Sequence, residues 1–210
     1  MSDLLPLFPL PGTVLFPQVF LPLHVFEPRY REMVTDALNG DRLIGMVLLR
    51  PGWQQDYEGR PPVYPIGCSG VITHVDRLPD GRFNIVLRGL DRFRILAEDH
   101  ARSYRRATVE TLHEPPVTPG ERTTLRALRE RLEALIGPSE GGVPEGRSTA
   151  AMNDEDLVNA LAQYLDLEPI ERQALLEHDG ILRRARSLVE LLDMRLFMAR
   201  TPGGGRNVAH

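Results

Sequence analysis

The sequence predicts an α+β protein. A β barrel with one packed helix (residues 1–116) precedes a helical bundle (117–200) and a short disordered tail (201–210). Three observations predict this. The apolar run Leu4–Tyr30 is interrupted by Pro6, Pro9, Pro11, Pro17 and Pro22, each of which would cost a helix roughly 3 kcal/mol, so its apolar groups must lie on short extended pieces. Residues 42–113 are a series of short apolar or alternating segments punctuated by turn residues. After Pro115-Pro116 the apolar residues recur at helical spacing instead.

The N-terminal pieces are expected as edge strands and turns, the places where proline is tolerated in a sheet. Glu27-Pro28 then opens a helix, because proline suits a first helical position. Tyr30, Met33, Val34, Ala37 and Leu38 follow on one face until Asn39-Gly40 ends it. Glu27 is expected beside the positive end of that helix. Leu43–Leu49 is a nearly continuous apolar strand, the pattern of burial on both faces. Gly67–Val75 leads through the turn Pro79-Asp80-Gly81 into Phe83–Leu87. Arg88-Gly89 reads as a second turn into Phe93–Ala97, and Tyr104–Leu112 as the last strand. Within these strands Arg92 and Arg94 share one face, expected to be solvated, while Phe93 and Ile95 share the other.

In the second half Leu125, Leu128, Leu132, Leu135 and Ile136 mark one helix. Asn153 is the expected N-cap of the next, with Asp154, Glu155 and Asp156 in its first turn and Leu157, Val158, Leu161 and Leu165 buried. Pro169 opens another, ending near His178-Asp179-Gly180. The last buries Ile181, Ala185, Leu188, Leu192 and Leu196 and leaves Arg183, Arg184, Glu190 and Asp193 outside. Residues 137–151 combine glycine, proline and polar residues and read as a flexible linker. Limited proteolysis is therefore expected to cut first between Gly137 and Ala151, leaving fragments that co-elute on size exclusion if the helices pack on the barrel. A first cut within Pro51–Tyr64 would refute the linker assignment.

The 210 residues are 42% hydrophobic and 26% charged, with a net charge of −4, the profile of a soluble globular chain. There is no membrane-length apolar run. Asp3 precedes the N-terminal apolar segment and the first basic residue is Arg29, unlike a secretory signal, so a cytoplasmic location is expected. The lone cysteine, Cys68, agrees with a reducing compartment. All 25 basic residues are arginine, so a P-loop lysine, a Ser-Lys dyad and Schiff-base chemistry are all unavailable.

Several blocks carry a family resemblance. LPLFPL (Leu5–Leu10), the loop ending Phe16-Pro17, FEPRYREMV (Phe26–Val34) and RLIGMVLL (Arg42–Leu49) resemble the start of the Lon N-terminal, or LON substrate-binding, domain. GRFNIVLRGLDRFRI (Gly81–Ile95) resembles its paired-strand segment, and LLEHDGILRRARSLVELL (Leu175–Leu192) its helical part. The match is to stand-alone members. The resemblance implies a PUA-like β barrel followed by helices. It also implies a non-enzymatic module without ATPase or peptidase, with no cofactor, that recognises unfolded or partly folded polypeptide and takes a protease as a further partner.

Two surfaces are candidates for that recognition. One is the long loop Pro51–Tyr64, with Trp53, Tyr57 and Tyr64; its rival reading folds Trp53 back over a barrel end. The other is the segment Thr13–Phe20, with Phe16 and Phe20, whose rival reading is core packing. Because PUA domains elsewhere bind RNA, Arg92, Arg94, Arg102, Arg105 and Arg106, with Arg88, form an alternative RNA-contacting set. The charge argues against it: 13 arginines stand against 14 acidic residues up to residue 116. A small-ligand protein is the other alternative and requires a pocket with convergent polar groups. Cys68 and His74 fail as a catalytic pair, since six residues along a strand separate them by roughly 20 Å. His24, His74, His100, His113, His178 and His210 show no metal-binding spacing.

Overall fold

The computed structural model describes residues 4–136 and 151–200. The expected tail and, Ala151 apart, the expected linker lie outside them. Within the described residues there are six strands and five α-helices. The strands are β1 (Leu5–Leu10), β2 (Phe20–Val25), β3 (Leu43–Leu48), β4 (Ile66–Arg77), β5 (Phe83–Asp99) and β6 (Arg105–Leu112). The helices are α1 (Pro28–Asn39), α2 (Pro119–Ile136), α3 (Asp154–Tyr164), α4 (Pro169–Glu177) and α5 (Ile181–Arg200). The α+β class and the order of its parts are as the sequence predicts.

The sheet runs β2-β5-β4-β3-β1-β6 and closes because β5 also pairs with β6. Phe93 fills the space enclosed by these strands, with Leu5, Leu7, Val47 and Ala107 around it. β2 stays at the margin, paired with β5 alone, and Pro22 is at home there. β1 is not the expected edge strand, since it lies between β3 and β6. Its prolines survive because the two neighbours cover different halves. Leu5–Leu7 pairs with β6 and Leu7–Leu10 with β3, so Pro6 and Pro9 each meet only one neighbour.

The expected turn at Arg88-Gly89 is also absent, because β5 runs unbroken from Phe83 to Asp99. Gly89 serves close approach: its N–H donates to Val19 O, its carbonyl accepts from Gln18 N, and a Cβ there would meet Phe16 O at 2.0 Å. The turn at Pro79-Asp80-Gly81 is present, with Gly81 at φ 82°.

The helices pack on the barrel through a shared core that runs from Phe8, Phe16 and Met33 to Leu125, Leu157 and Leu188. Polar groups add fixed links: Gln163 Oε1 accepts from Phe16 N at 3.1 Å and Gln173 Nε2 donates to Ile66 O at 2.9 Å. Asn153 caps α3 as expected, accepting from Asp156 N.

Two arginines depart from their expected solvated positions for one reason: an element remote in sequence covers their face. Arg92 is 2% exposed because α4 and the turn after it cover its face of β5, where it donates to Leu176 O and pairs with Glu114 and Asp179. Arg94, two residues on, keeps half its side chain in solvent and pairs with Glu110. Arg184 is fully buried, bonded to Glu114, Asn159 and the Leu175 carbonyl.

Candidate functional site

The loop between β3 and β4 is zipped at its neck and tethered at its tip. Leu49 bridges Val63, Arg50 N donates to Pro62 O at 2.8 Å and Tyr64 N to Leu48 O at 2.9 Å. Arg50 sits 5.3 Å from the Tyr64 ring centre, so Tyr64 belongs to the neck. Gly52, at φ 87°, opens a short 3-10 turn over Trp53–Asp56. This turn sets Trp53 edge-on against Tyr57, with centroids 5.3 Å apart and planes at 64°. Both rings are half-buried.

Tyr57 ties the loop to the start of α1. Its hydroxyl donates to Glu27, and burial together with that carboxylate raises its pKa, so it stays a donor. Arg29 lies between two rings, 4.7 Å from the Tyr30 centre and 5.0 Å from the Tyr57 centre. Arg29 Nε donates to Glu27 Oε2 at 3.0 Å and Nη2 to Tyr57 O at 3.2 Å. Glu27 therefore occupies the helix N-cap with its backbone but spends its carboxylate on Arg29 and Tyr57, with no side-chain cap bond.

Beneath the loop is a cleft of about 170 Å³, walled by Tyr30 and Arg29 of α1, Tyr57 and Arg60 of the loop, and Tyr104 and Arg105 at the start of β6. Tyr104 donates to Asp36 at 2.7 Å, and burial with that carboxylate raises its pKa to about 12.

Of the expected apolar contacts, Phe16 is 0% exposed. It is a core residue, and the core-packing reading of Thr13–Phe20 holds for it because Gln163 and Arg184 close over its backbone and ring. Phe20 is half-buried and borders a separate apolar groove of about 280 Å³ with Val19, Met152, Ala160 and Tyr164. Phe26, overlooked in the sequence, is 59% exposed directly before Glu27. A signal for it existed. An apolar residue before an N-cap normally packs on an apolar side chain at the fourth helical position, and here that position is Arg31.

Arg88 bonds only weakly to Gln18 at 3.4 Å, and the other five arginines of the alternative set are in ion pairs. Arg102 lies near Glu32 and Asp36, Arg105 pairs with Glu98 and Arg106 with Asp99. Arg105 and Arg106 point to opposite faces of β6, and Arg92 turns toward the helices. The set does not converge on one face. Burial pushes the Cys68 thiol up to about 12, the mark of an inert core cysteine. Among the described residues no three His, Cys, Asp or Glu side chains are placed to hold a metal ion, and no helix is long and apolar enough to cross a membrane.

The family model for the ATP-dependent protease La (LON) substrate-binding domain matches residues 4–194. Lon protease 2 of Syntrophobacter fumaroxidans is 30% identical over 181 residues, covering 84% of this chain and 22% of that protein. Lon protease of Flavobacterium johnsoniae is 27% identical over 197 residues, 91% of this chain and 24% of that protein. The chain thus spans about a quarter of the length of such relatives. Among solved structures, a Lon N-terminal domain protein from Xanthomonas campestris superposes with a TM-score of 0.59 at 25% identity, covering 95% of this chain and 99% of that one. The N-terminal domain of a Mycobacterium avium complex Lon protease has the same fold at 18% identity, with a TM-score of 0.65 over 91% of this chain and 98% of that one.

Proposed function

We propose, because this chain belongs to the LON substrate-binding domain family, that it is a non-enzymatic module that recognises exposed apolar segments of unfolded or partly folded polypeptides through the Trp53 loop. A protease is the partner to which such a module would present its clients, by analogy with the relatives it matches. The observation that carries the reading is the loop itself: a tryptophan held edge-on against a tyrosine, both partly exposed, on a turn tied down by Glu27 and Arg29. A rigid aromatic anchor loses little entropy on binding and offers a large apolar face.

Trp53→Ala should weaken binding of a reduced and alkylated, permanently unfolded client by about 1 to 3 kcal/mol, the scale of an aromatic hot spot. Its melting temperature should change little, because the ring is not enclosed by the core. Titration and thermal melts on the same preparations check this. A large loss of stability with unchanged client affinity would assign Trp53 to packing and overturn the loop as the contact.

A further inference from the structure

The cleft beneath the loop collects three guanidinium groups, and these differ in how firmly they are held. Arg105 is fixed: Nε and Nη2 donate to Glu98 and Nη1 to Pro61 O at 2.6 Å, so it forms a wall. Arg29 is fixed by Glu27 and the two tyrosine rings, and within the described residues its Nη1 donates to nothing. Arg60 is loosely held. Its contacts are 3.3 Å to Asp99 O, 3.3 Å to Arg102 O and 3.8 Å to Glu98, at the long end of hydrogen-bonding and ion-pair range, and its side chain is 28% exposed. A donor fork so placed can exchange weak carbonyl contacts for a charged acceptor, and its geometry matches a carboxylate.

The size of the cleft narrows the guest. At about 170 Å³ it is below the roughly 300–1,000 Å³ of pockets for drug-sized ligands, so it takes a chain end or one short side chain. Its position narrows the guest further, because Tyr57 both lines the cleft and carries Trp53 on its ring.

We propose that the cleft seats a carboxylate of the bound polypeptide, from its C-terminus or from an Asp or Glu side chain, with Arg60 swinging onto it and Arg29 Nη1 completing the contact. The proposal rests on the loop's being the polypeptide-binding surface, and it makes the preferred client an apolar segment adjoining a carboxylate. Glu58, exposed on the rim, opposes that guest and limits its affinity.

Three versions of one apolar, fluorescently labelled decapeptide test this against the full chain: a free C-terminal acid, a C-terminal amide without acidic residues, and an amide with one internal Asp. One or both acid-bearing peptides should bind about 10-fold tighter than the neutral amide, the scale of one charge-assisted contact. The source of the carboxylate is the version that gains. Arg60→Gln should abolish the gain while leaving the neutral amide's affinity unchanged, and Glu58→Gln should enlarge it. Equal binding of all three peptides, or a gain that survives Arg60→Gln, overturns the proposal. Trp53→Ala separates the two ideas. If it leaves every affinity unchanged while the acid preference persists, Trp53 is not the apolar contact and the carboxylate contact is made without it; if it weakens all three alike with no acid preference, the loop is the contact and the carboxylate proposal fails.

Discussion

Arg184→Ala is expected to destabilise the protein by about 3 to 5 kcal/mol, the scale of a broken buried ion pair. Thermal unfolding should report this as a fall of roughly 6 to 20 °C in melting temperature for a chain of this size. Arg184 is fully buried, and its three donors go to Glu114 Oε1 at 2.5 Å, Asn159 Oδ1 at 2.7 Å and Leu175 O at 3.1 Å. Alanine leaves all three acceptors short of a donor and a void beside the Phe16 ring. Glu114 also lies 3.1 Å from Arg92 Nε, a charge contact without a hydrogen bond, so the carboxylate is not left wholly uncompensated. The group joins β5, the segment after β6, and helices α3 to α5, and its loss should loosen the helices from the barrel. Glu114→Gln made in the alanine background should cost less than in the parent, with a coupling of about 0.5 to 3 kcal/mol. Additive losses would mean that the two residues act separately.

Gly89→Ala should cost about 3 kcal/mol or more, beyond the usual range for one extra methyl in a packed site. The added Cβ would meet Phe16 O at 2.0 Å, Phe16 C at 2.9 Å and Pro17 Cα at 3.3 Å. All three are backbone atoms, so the strain cannot be relieved by a rotamer change. Either β5 or the Phe16-Pro17 segment must move, and with it the hydrogen bonds to Gln18 and Val19. Gly12→Ala is the control, since a Cβ there meets nothing within 4 Å, and its melting temperature should match the parent's. Chemical denaturation of the two variants side by side checks the contrast, and a harmless Gly89→Ala would show that the segment yields freely.

The candidate site was legible in part. A loop too long for a tight connection, carrying the only tryptophan, marks itself in the sequence, and Trp53 and Tyr57 do lie together there. Its anchoring was not legible, because Tyr57 bonds to Glu27 across 30 residues and the cleft needs Arg105 from β6. Phe16 and Phe26 show the limit more sharply. Both are aromatic residues in the same proline-rich stretch, yet one is enclosed by α3 and α5 and the other faces solvent.

The sequence by itself determined what depends on nearest neighbours along the chain. Prolines at 6, 9, 11, 17 and 22 forbid a helix wherever the rest of the protein lies. Pro28, Asn153 and Pro169 open helices because they satisfy or remove amide donors of their own first turn, and the change of apolar period divides barrel from bundle. The tertiary structure alone decided which faces are covered. Arg184 is buried although its charge suggests solvent, Gly89 lies within a strand instead of a turn, and Arg92 is enclosed by residues more than 80 positions away. Backbone preference is a local energy, whereas burial and pairing depend on whichever remote element packs against a side chain, and no window of sequence contains both partners.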